Sequence, residues 1–274
     1  MPQLELVTPG QPAVWAALRN EAAQAAAEEP ALGSLLYAAI LSHDLLVDAL
    51  AFQLGRKLGD GELNVMTVRS ICWEAFYGDP DAMKKVEADL QAVLERDPAC
   101  KGYLQPFLYF KGFQALQTYR VAHWLWNQGR QTLAFHFQSR MSELFQVDIH
   151  PAAKIGSGIF LDHGTGIVIG ETAVVGDDVS MLHAVTLGGT GAQRGDRHPK
   201  IGRGVLLGAG AKVLGNIEIG DYAKIASGSV VLRPVPPNCT AAGVPARLVG
   251  CPPGAEPART MDHTLADVVY DYVI

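Results

Sequence analysis

Six polar residues in the second half of the chain belong to types that transfer protons or bind anions. They are Asp148, Asp162, His163, His183, Arg197 and His198. A carboxylate such as Asp148 at one ring nitrogen of His163 would leave the other nitrogen free to act as a general base. A guanidinium binds a carboxylate through two parallel hydrogen bonds, so Arg197 fits a small acid as substrate. Spacing alone equally allows a solvated histidine and an exposed loop arginine.

These residues lie in and around a repeat that must position them. From Ile149 to Val235, aliphatic residues recur every six positions, a period typical of neither a helix nor a strand. Such a short fixed period indicates a solenoid of hexapeptide turns, in which three hexads make one coil of about 18 residues. We place glycines and Asn216 at corners that need backbone angles unfavourable to other side chains. The clearest run is Ile201, Leu207, Val213, Ile219, Ile225 and Val231.

The period breaks twice, and both breaks fall beside candidate residues. From Ile169 onwards the aliphatic positions are displaced by two from the phase set by Ile149 and Leu161, which predicts a two-residue slip next to His163. Residues 188–200 interrupt the repeat again and predict a glycine-rich excursion. Long loops in regular repeats are more often functional than not.

The histidines also allow a zinc site. His163 and His183 are separated by one coil plus the slip, so they are expected to stack on one face, and with His150 nearby they allow a zinc site shared across subunits. Three histidines bound to zinc on such a coil would indicate a carbonic anhydrase of the left-handed-helix type. No spacing places a third histidine on that face. The residues alone therefore leave a general base and a metal ligand as alternatives for His163.

Composition limits the classes of function. With 274 residues, of which 49% are hydrophobic and 18% charged, the chain is typical of a globular protein. The net charge of -6 offers no footprint for nucleic acid. Without an apolar run of membrane-spanning length or a signal sequence, we expect no membrane partner and a cytoplasmic location. The cysteines lack metal-finger spacing and are predicted to be free buried thiols: Cys72, Cys100, Cys239 and Cys251.

The fold class predicted is α+β. We expect an α-helical domain at 1–145, a parallel β-helix at 146–250, and a flexible C-terminal tail at 251–274 that begins near a proline-rich stretch. The first helix has a thin apolar face and is predicted to be peripheral, and Asp97 is predicted to cap a helix that starts at Pro98. The predicted helices are Pro12 to Glu28, Leu32 to Leu54, Val65 to Tyr77, Asp81 to Arg96, Gln105 to Gln128 and Thr132 to Phe145.

Several strings of the sequence resemble the serine O-acetyltransferase family, within the hexapeptide-repeat acyltransferases. They are Val147 to Ala152, Leu161 to His163, Thr186 to Gly191, Gly195 to Lys200 and Ala242 to Arg247, with Arg96 to Ala99 and Leu108 to Gln117 upstream. The resemblance covers roughly residues 30 to 250. The hexapeptide period alone indicates only the superfamily, whereas this combination of strings is much more specific.

The resemblance implies transfer of an acetyl group from acetyl-CoA to the hydroxyl of L-serine, giving O-acetylserine and CoA in cysteine biosynthesis. It implies a left-handed coil, His163 as general base and Asp148 as the residue that orients it. Acetyl-CoA is then a co-substrate, and we expect neither a tightly bound cofactor nor a metal. The implied serine-binding residues are Asp97, Asp162, Arg197 and His198, with Asp97 contributed by the helical domain. For the acetyl-CoA groove we select Gly189, Ala209, Lys224 and Arg247.

The same resemblance implies partners. We expect trimers through the coil, paired into a hexamer through the helical domains, and feedback inhibition by L-cysteine. The C-terminal residue Ile274 matches the family's tail, which inserts into O-acetylserine sulfhydrylase, although residues 270–273 are less glycine-rich than is usual there. Two other functions stay open: an acyltransferase for another hydroxyl or amino acceptor, such as a sugar, and a scaffold that keeps the tail without activity.

Overall fold

The computed structural model describes residues 13–191 and 194–265. The chain separates into two compact units, Met1–Phe145 and Gln146–Ile274. The described part of the first unit is helical, and the second unit contains a parallel β-solenoid of about five turns. The predicted α+β class is therefore confirmed. None of the described helices combines the length and the apolar character that crossing a membrane requires.

The first unit has eight described α-helices. They are α1 Ala13–Glu28, α2 Gly33–Leu36, α3 Leu46–Leu58, α4 Val65–Gly78, α5 Ala82–Arg96, α6 Leu104–Leu108, α7 Lys111–Asn127 and α8 Gln131–Phe145. Two predicted helices are broken. A 3₁₀ turn at Pro30–Leu32 and a π-helical turn at Tyr37–Leu41 interrupt the segment before α3, and the segment from Gln105 divides into α6 and α7.

The prediction that the first helix is peripheral is wrong. In α1, Trp15 and Leu18 are fully buried. The Trp15 indole N–H donates to the Asp44 carbonyl at 2.8 Å, and Arg19 donates to the His43 carbonyl at 2.7 Å. Alanines made the apolar face look thin, but small side chains let neighbouring segments approach closely, and Ala22 is itself completely buried.

The solenoid consists of three sheets of short strands. The first sheet contains β1 Val147–Ile149, β4 Ile167–Ile169, β7 Thr186–Gly188, β10 Lys212–Leu214 and β13 Val230–Val231. The second contains β2 Lys154–Ile155, β5 Val174–Val175, β8 Lys200–Ile201 and β11 Glu218–Ile219. The third contains β3 Phe160–Leu161, β6 Ser180–Met181, β9 Leu206–Leu207, β12 Lys224–Ile225, β14 Thr240–Gly243 and β15 Ala246–Gly250.

Strand register confirms both predicted breaks in the repeat. Ile149 pairs with Ile169, and Ile169 pairs in turn with Leu187, so the first turn is two positions longer than the regular one that follows it. Val175 pairs with Ile201, and the turn with the excursion is therefore longer than a regular one by eight positions. On both sides of each insertion the aliphatic side chains still point into the coil.

The predicted backbone angles are confirmed at several corner glycines, which have a positive φ, whereas others are required by space. Gly202 has no unusual backbone angle, but a Cβ there would lie 2.4 Å from a carboxylate oxygen of Asp221. That same oxygen accepts the backbone N–H of Arg203 at 2.8 Å, so Gly202 is required by space in the next turn. The positive φ expected at Asn216 belongs instead to Gly215, at +98°.

The prediction of four free thiols is wrong for one pair. Cys239 and Cys251 form a disulfide across the ends of the β14–β15 hairpin. Cys72 and Cys100 are free and buried, as expected.

The described residues after β15 contact the coil. The short helix α9, Pro257–Thr260, lies beside the third sheet, where the Ser180 hydroxyl donates to the Ala258 carbonyl at 2.8 Å. Farther along, the Lys224 ammonium donates to the Thr264 carbonyl. The predicted boundary between the coil and a flexible tail at residue 250 stays a prediction.

Candidate active site

Two corners of the coil carry the candidate residues. The base corner, residues 162–166 and 182–184, joins the third sheet to the first. The excursion corner, residues 170–172, 189–191 and 194–199, joins the first sheet to the second. They are the sites of the short slip and of the longer insertion, respectively.

His163 lies at the tip of the slip in the base corner. Its side chain is 75% exposed, and its backbone has a φ of +58°, which few residues other than glycine adopt. Two backbone hydrogen bonds stabilise the turn. The N–H of Gly164 donates to the Asp162 carbonyl at 2.7 Å, and the N–H of Gly166 donates to the Gln146 carbonyl at 2.7 Å. A left-handed conformation costs about 1–3 kcal/mol and occurs preferentially at functional sites.

Asp148 lies on the first strand beside the same corner. Its neighbours Val147 and Ile149 are buried inside the coil, so the alternation of a strand directs the Asp148 side chain outward. The bond from Gly166 to Gln146 places the turn next to the residue that precedes this strand. Asp148 therefore lies near the turn that carries the imidazole, at the end of the first sheet where its strands begin.

Asp162 and His183 complete the base corner. The Asp162 carboxylate is 3.8 Å from Nε2 of His163, and the rings of His163 and His183 meet edge to face with centroids 6.0 Å apart. The expected stacking of these two histidines is confirmed. His150 follows β1 and therefore lies at the opposite end of the first sheet, where its strands finish. Across residues 13–191 and 194–265 of one chain, no three His, Cys, Asp or Glu side chains are placed to hold a metal, and the zinc site shared across subunits stays a prediction.

Arg197 is held in the excursion corner by a carboxylate. Its guanidinium donates to Glu171 Oε2 at 2.8 Å and to the Gly195 carbonyl at 3.1 Å. The hydrogen bond to Glu171 is the main reason why the pKa of this glutamate lies below its usual value. A guanidinium fixed in this way presents its remaining N–H groups in a defined direction.

His198 is buried, and one residue, Thr172, orients it. Nδ1 of the imidazole accepts the Thr172 backbone N–H at 3.2 Å and lies 2.9 Å from the Thr172 hydroxyl. The same hydroxyl oxygen accepts the backbone N–H groups of Arg197 at 3.0 Å and His198 at 3.1 Å. Because Nδ1 accepts from a backbone N–H, the ring proton of neutral His198 is on Nε2.

Burial favours the neutral form of His198. Desolvation is the main cause that lowers its pKa, and the neighbouring Arg197 charge lowers it further. The ring lies so close to Gly170 that a Cβ on that residue would be 2.0 Å from Nε2. The excursion corner therefore holds two N–H donor groups suited to an anion, the guanidinium of Arg197 and the imidazole of His198.

Sequence reasoning did not assign Gly170, Glu171, Thr172 and Lys200 to the site. Glu171 and Thr172 precede Arg197 and His198 by 26 positions each, the length of the turn that contains the excursion. That length depends on where the chain rejoins the coil. The signal is therefore available only once the register is known.

Asp97 lies in the helical unit, where it is the C-cap of α5. Its carboxylate accepts the backbone N–H of Ala99 at 2.8 Å. The predicted cap of a helix beginning at Pro98 is wrong, because α6 begins only at Leu104. The carboxylate folds over its own loop instead.

The residues selected for acetyl-CoA are spread over the coil. Gly189 packs against Arg197, since a Cβ there would be 3.3 Å from Cγ of that arginine. The carbonyl of Ala209 accepts a backbone N–H from the next turn, as that of His183 does one turn earlier. Lys224, on the third sheet, donates a hydrogen bond to the Thr264 carbonyl. Arg247 is exposed on the outer strand of the hairpin.

Within one chain, the two corners stand apart. His163 precedes β4 and the pocket of Arg197 and His198 follows it, so the whole length of that short strand separates them. At about 3.3 Å per residue, this strand is roughly 10 Å long. One corner offers an exposed imidazole and the other an anion pocket.

Comparison with known proteins covers both units. The family model "Serine acetyltransferase, N-terminal" matches residues 14–118, and "Bacterial transferase hexapeptide (six repeats)" matches residues 198–233. The serine acetyltransferase of Escherichia coli K12 is 55% identical over 249 residues, which are 91% of each chain. A serine acetyltransferase solved with cysteine superposes with a TM-score of 0.90 at 51% identity, covering 92% of this chain and 98% of that one.

A second solved structure is the serine acetyltransferase of Brucella abortus in complex with coenzyme A. It superposes with a TM-score of 0.86 at 50% identity and covers 92% of this chain and 100% of that one. Matches of this extent include the helical unit and the coil together. The chain belongs to the serine acetyltransferase family.

Proposed function

We propose that this protein transfers the acetyl group of acetyl-CoA to the hydroxyl of L-serine, giving O-acetyl-L-serine and CoA at the start of cysteine biosynthesis. The observation that carries this proposal is the 55% identity with the Escherichia coli serine acetyltransferase across nine-tenths of both proteins. The relative solved with coenzyme A supports acetyl-CoA as the co-substrate. No tightly bound cofactor is needed for this reaction.

The proposed base is His163. A neutral ring nitrogen takes the proton of the serine hydroxyl while the oxygen attacks the thioester carbonyl. The tetrahedral intermediate then expels the CoA thiolate, which receives the proton from the imidazolium. Asp148, at the same end of the first sheet, orients the ring and stabilises its cationic form. General base catalysis of this kind contributes about 10² to 10⁴ in rate.

The proposed serine site uses the excursion corner for the carboxylate. Arg197 and neutral His198 donate N–H groups to it, while Asp162 and Asp97 accept the ammonium group. Glu171, which sequence reasoning did not assign, accepts a hydrogen bond from the Arg197 guanidinium and so helps to fix its position. L-cysteine has the same carboxylate and ammonium groups, so we propose that it inhibits by occupying this site, in line with the relative solved with cysteine.

The separation of the two corners within one chain favours a site shared between neighbouring copies. We propose trimers in which the base corner of one coil faces the excursion corner of the next, and pairs of trimers that form a hexamer. Acetyl-CoA would lie in the same groove along Gly189, Ala209, Lys224 and Arg247. Serine would then contact His163 of one copy and Arg197 of its neighbour.

The C-terminal tail is proposed to bind O-acetylserine sulfhydrylase through Ile274, which lies outside the described residues. Deleting Ile274 should abolish co-purification with the sulfhydrylase and leave acetyl transfer intact. Loss of both would contradict this role of the tail. The cytoplasmic location expected from the sequence also stays a prediction.

The function is tested by comparing two acceptors, L-serine and ethanolamine, in an assay of CoA release with a thiol reagent. Ethanolamine has the hydroxyl and the ammonium group but lacks the carboxylate. We expect fast release with L-serine and poor release with ethanolamine, and mass spectrometry should identify O-acetylserine. In Arg197→Met the preference for L-serine should collapse.

Equal use of both acceptors by the wild type would contradict the serine site. Better use of a sugar would favour an acyltransferase for another hydroxyl. Absence of any acceptor-dependent release would favour a scaffold without activity.

A further inference from the structure

Lys200, the residue that returns the excursion to the coil, has an ammonium group with three acceptors. Its Nζ donates to the Thr172 carbonyl at 2.8 Å, to the His198 carbonyl at 2.8 Å and to a carboxylate oxygen of Asp196. An ammonium has three N–H donors, so the capacity of Lys200 is fully used. Its side chain is 31% exposed, which is low for a lysine on a coil surface.

Another lysine of the coil provides a contrast. Lys212 begins β10, as Lys200 begins β8, but its Nζ donates to the carbonyl of the nearby Gly210 at 3.1 Å. The acceptors of Lys200 lie in two separate segments, the excursion and the preceding turn of the coil. Lys200 therefore connects segments that are distant in sequence, whereas the hydrogen bond from Lys212 to Gly210 stays within its own corner.

The three acceptors surround the proposed carboxylate pocket. Asp196 directly precedes Arg197, and the second acceptor is the carbonyl of His198 itself. Thr172, whose hydroxyl accepts the N–H groups of both residues, provides the third acceptor through its carbonyl. Lys200 thus ties the backbone on both sides of Arg197, at Asp196 and His198, to Thr172.

Charge strengthens this arrangement. The hydrogen bond from Lys200 is the main cause that lowers the pKa of Asp196, so this carboxylate stays ionised. Hydrogen bonds with an ionised donor are roughly twice as strong as neutral ones. The excursion contains Gly191 and Gly195, both at positive φ, and a glycine-rich loop loses much conformational entropy when it is ordered. A charged group with three acceptors offsets that loss.

We propose that Lys200 is a positioning residue for serine, which fixes Arg197 and His198 in the conformation that receives the carboxylate. This inference rests on the proposed function, because it assigns the carboxylate to that pair. Lys200 does not touch the reacting atoms. Its removal should therefore affect serine binding and leave the acetyl-CoA half of the reaction unchanged.

The test compares Lys200→Met with the matched variant Lys212→Met in the CoA-release assay, using full-length protein. For Lys200→Met we expect the KM for L-serine to rise about tenfold, with kcat within about threefold and an unchanged KM for acetyl-CoA. Lys212→Met should keep all three constants. Lys200→Arg should recover only part of the loss, because a planar guanidinium cannot direct three bonds from one nitrogen.

A double variant separates positioning from general destabilisation. In an Arg197→Lys background, the guanidinium that Lys200 positions is already lost. Lys200→Met should therefore raise the KM for serine by clearly less than tenfold. An unchanged KM for serine in Lys200→Met, equal increases in both KM values, or a full tenfold effect in the Arg197→Lys background would each overturn the inference. Wild-type protein without serine-dependent CoA release would instead contradict the proposed function itself.

Discussion

The two corners differ in how the chain treats a histidine. In the base corner, the short insertion exposes His163 at the tip of a turn with a left-handed backbone. In the excursion corner, the longer insertion buries His198 and engages its Nδ1 through Thr172. A proposed base needs an accessible nitrogen, whereas a proposed anion pocket needs donors fixed in direction. The same repeat provides both by lengthening two different corners by different amounts.

This contrast predicts that substitutions at the base corner reduce kcat and those at the excursion corner raise the KM for serine.

The largest effect is expected for His163→Asn. Asparagine tolerates a positive φ, so the turn should be preserved while the proton acceptor is lost. We expect kcat to fall by about 10² to 10⁴ with little change in Tm. The neighbouring variant His183→Asn serves as control and should keep kcat within about tenfold. A fall in kcat of less than tenfold in His163→Asn would remove this residue from the role of base.

Gly170→Ala should disturb the excursion corner next. Its Cβ would be 2.0 Å from Nε2 of His198, so the ring must leave its position. Overpacking costs about 1–3 kcal/mol, which corresponds to a rise in the KM for L-serine of about five- to 150-fold. Gly250→Ala, whose Cβ would have no atom within 4 Å, is the matched control. Equal KM values in the two variants would argue against a rigid pocket.

Thr172→Val removes the hydroxyl that three groups share, and Thr172→Ser keeps it. Since each hydrogen bond contributes about 1 kcal/mol net, we expect the KM for serine to rise about five- to tenfold with valine and to stay near the wild-type value with serine. Steady-state kinetics with both substrates measures this. If both variants behave alike, the hydroxyl does not order the pocket.

The smallest effect concerns pH. Burial lowers the pKa of His198 in the folded state, so below the ordinary histidine value of about 6.5 the unfolded chain binds more protons than the folded one. Stability should therefore fall as the pH is lowered through that value. His198→Asn keeps an acceptor for Thr172 but cannot titrate, so its loss of Tm over this range should be smaller by about one or two degrees. An identical loss of Tm in both proteins would show that His198 does not contribute to the pH dependence of stability.

The periodicity of the sequence predicts the coil, the slip and the excursion, because a six-residue period constrains which side chains point inward. The interruptions of the helices were not predictable from it. The turns that break the segment before α3 depend on tertiary packing, and the burial of α1 depends on close approach at alanines.

In the site, single residues with familiar chemistry were found and their supporting groups were not. His163, Arg197 and His198 stand out by type. Glu171, Thr172 and Lys200 act through hydrogen bonds to the excursion, across a spacing that follows only from where the excursion ends. Strand register, which a sequence pattern does not give at an insertion, brings them together.

The pairing of strands on both sides of each insertion has a consequence for engineering. Ile149 pairs with Ile169 across the short insertion, and Val175 pairs with Ile201 across the long one, with the side-chain phase restored in both cases. A corner of this coil is therefore an independent cassette, whose length can change without rewriting the neighbouring strands. Grafting excursions of other lengths and charges between β7 and β8 should change the preferred acceptor while the turn that carries His163 remains untouched.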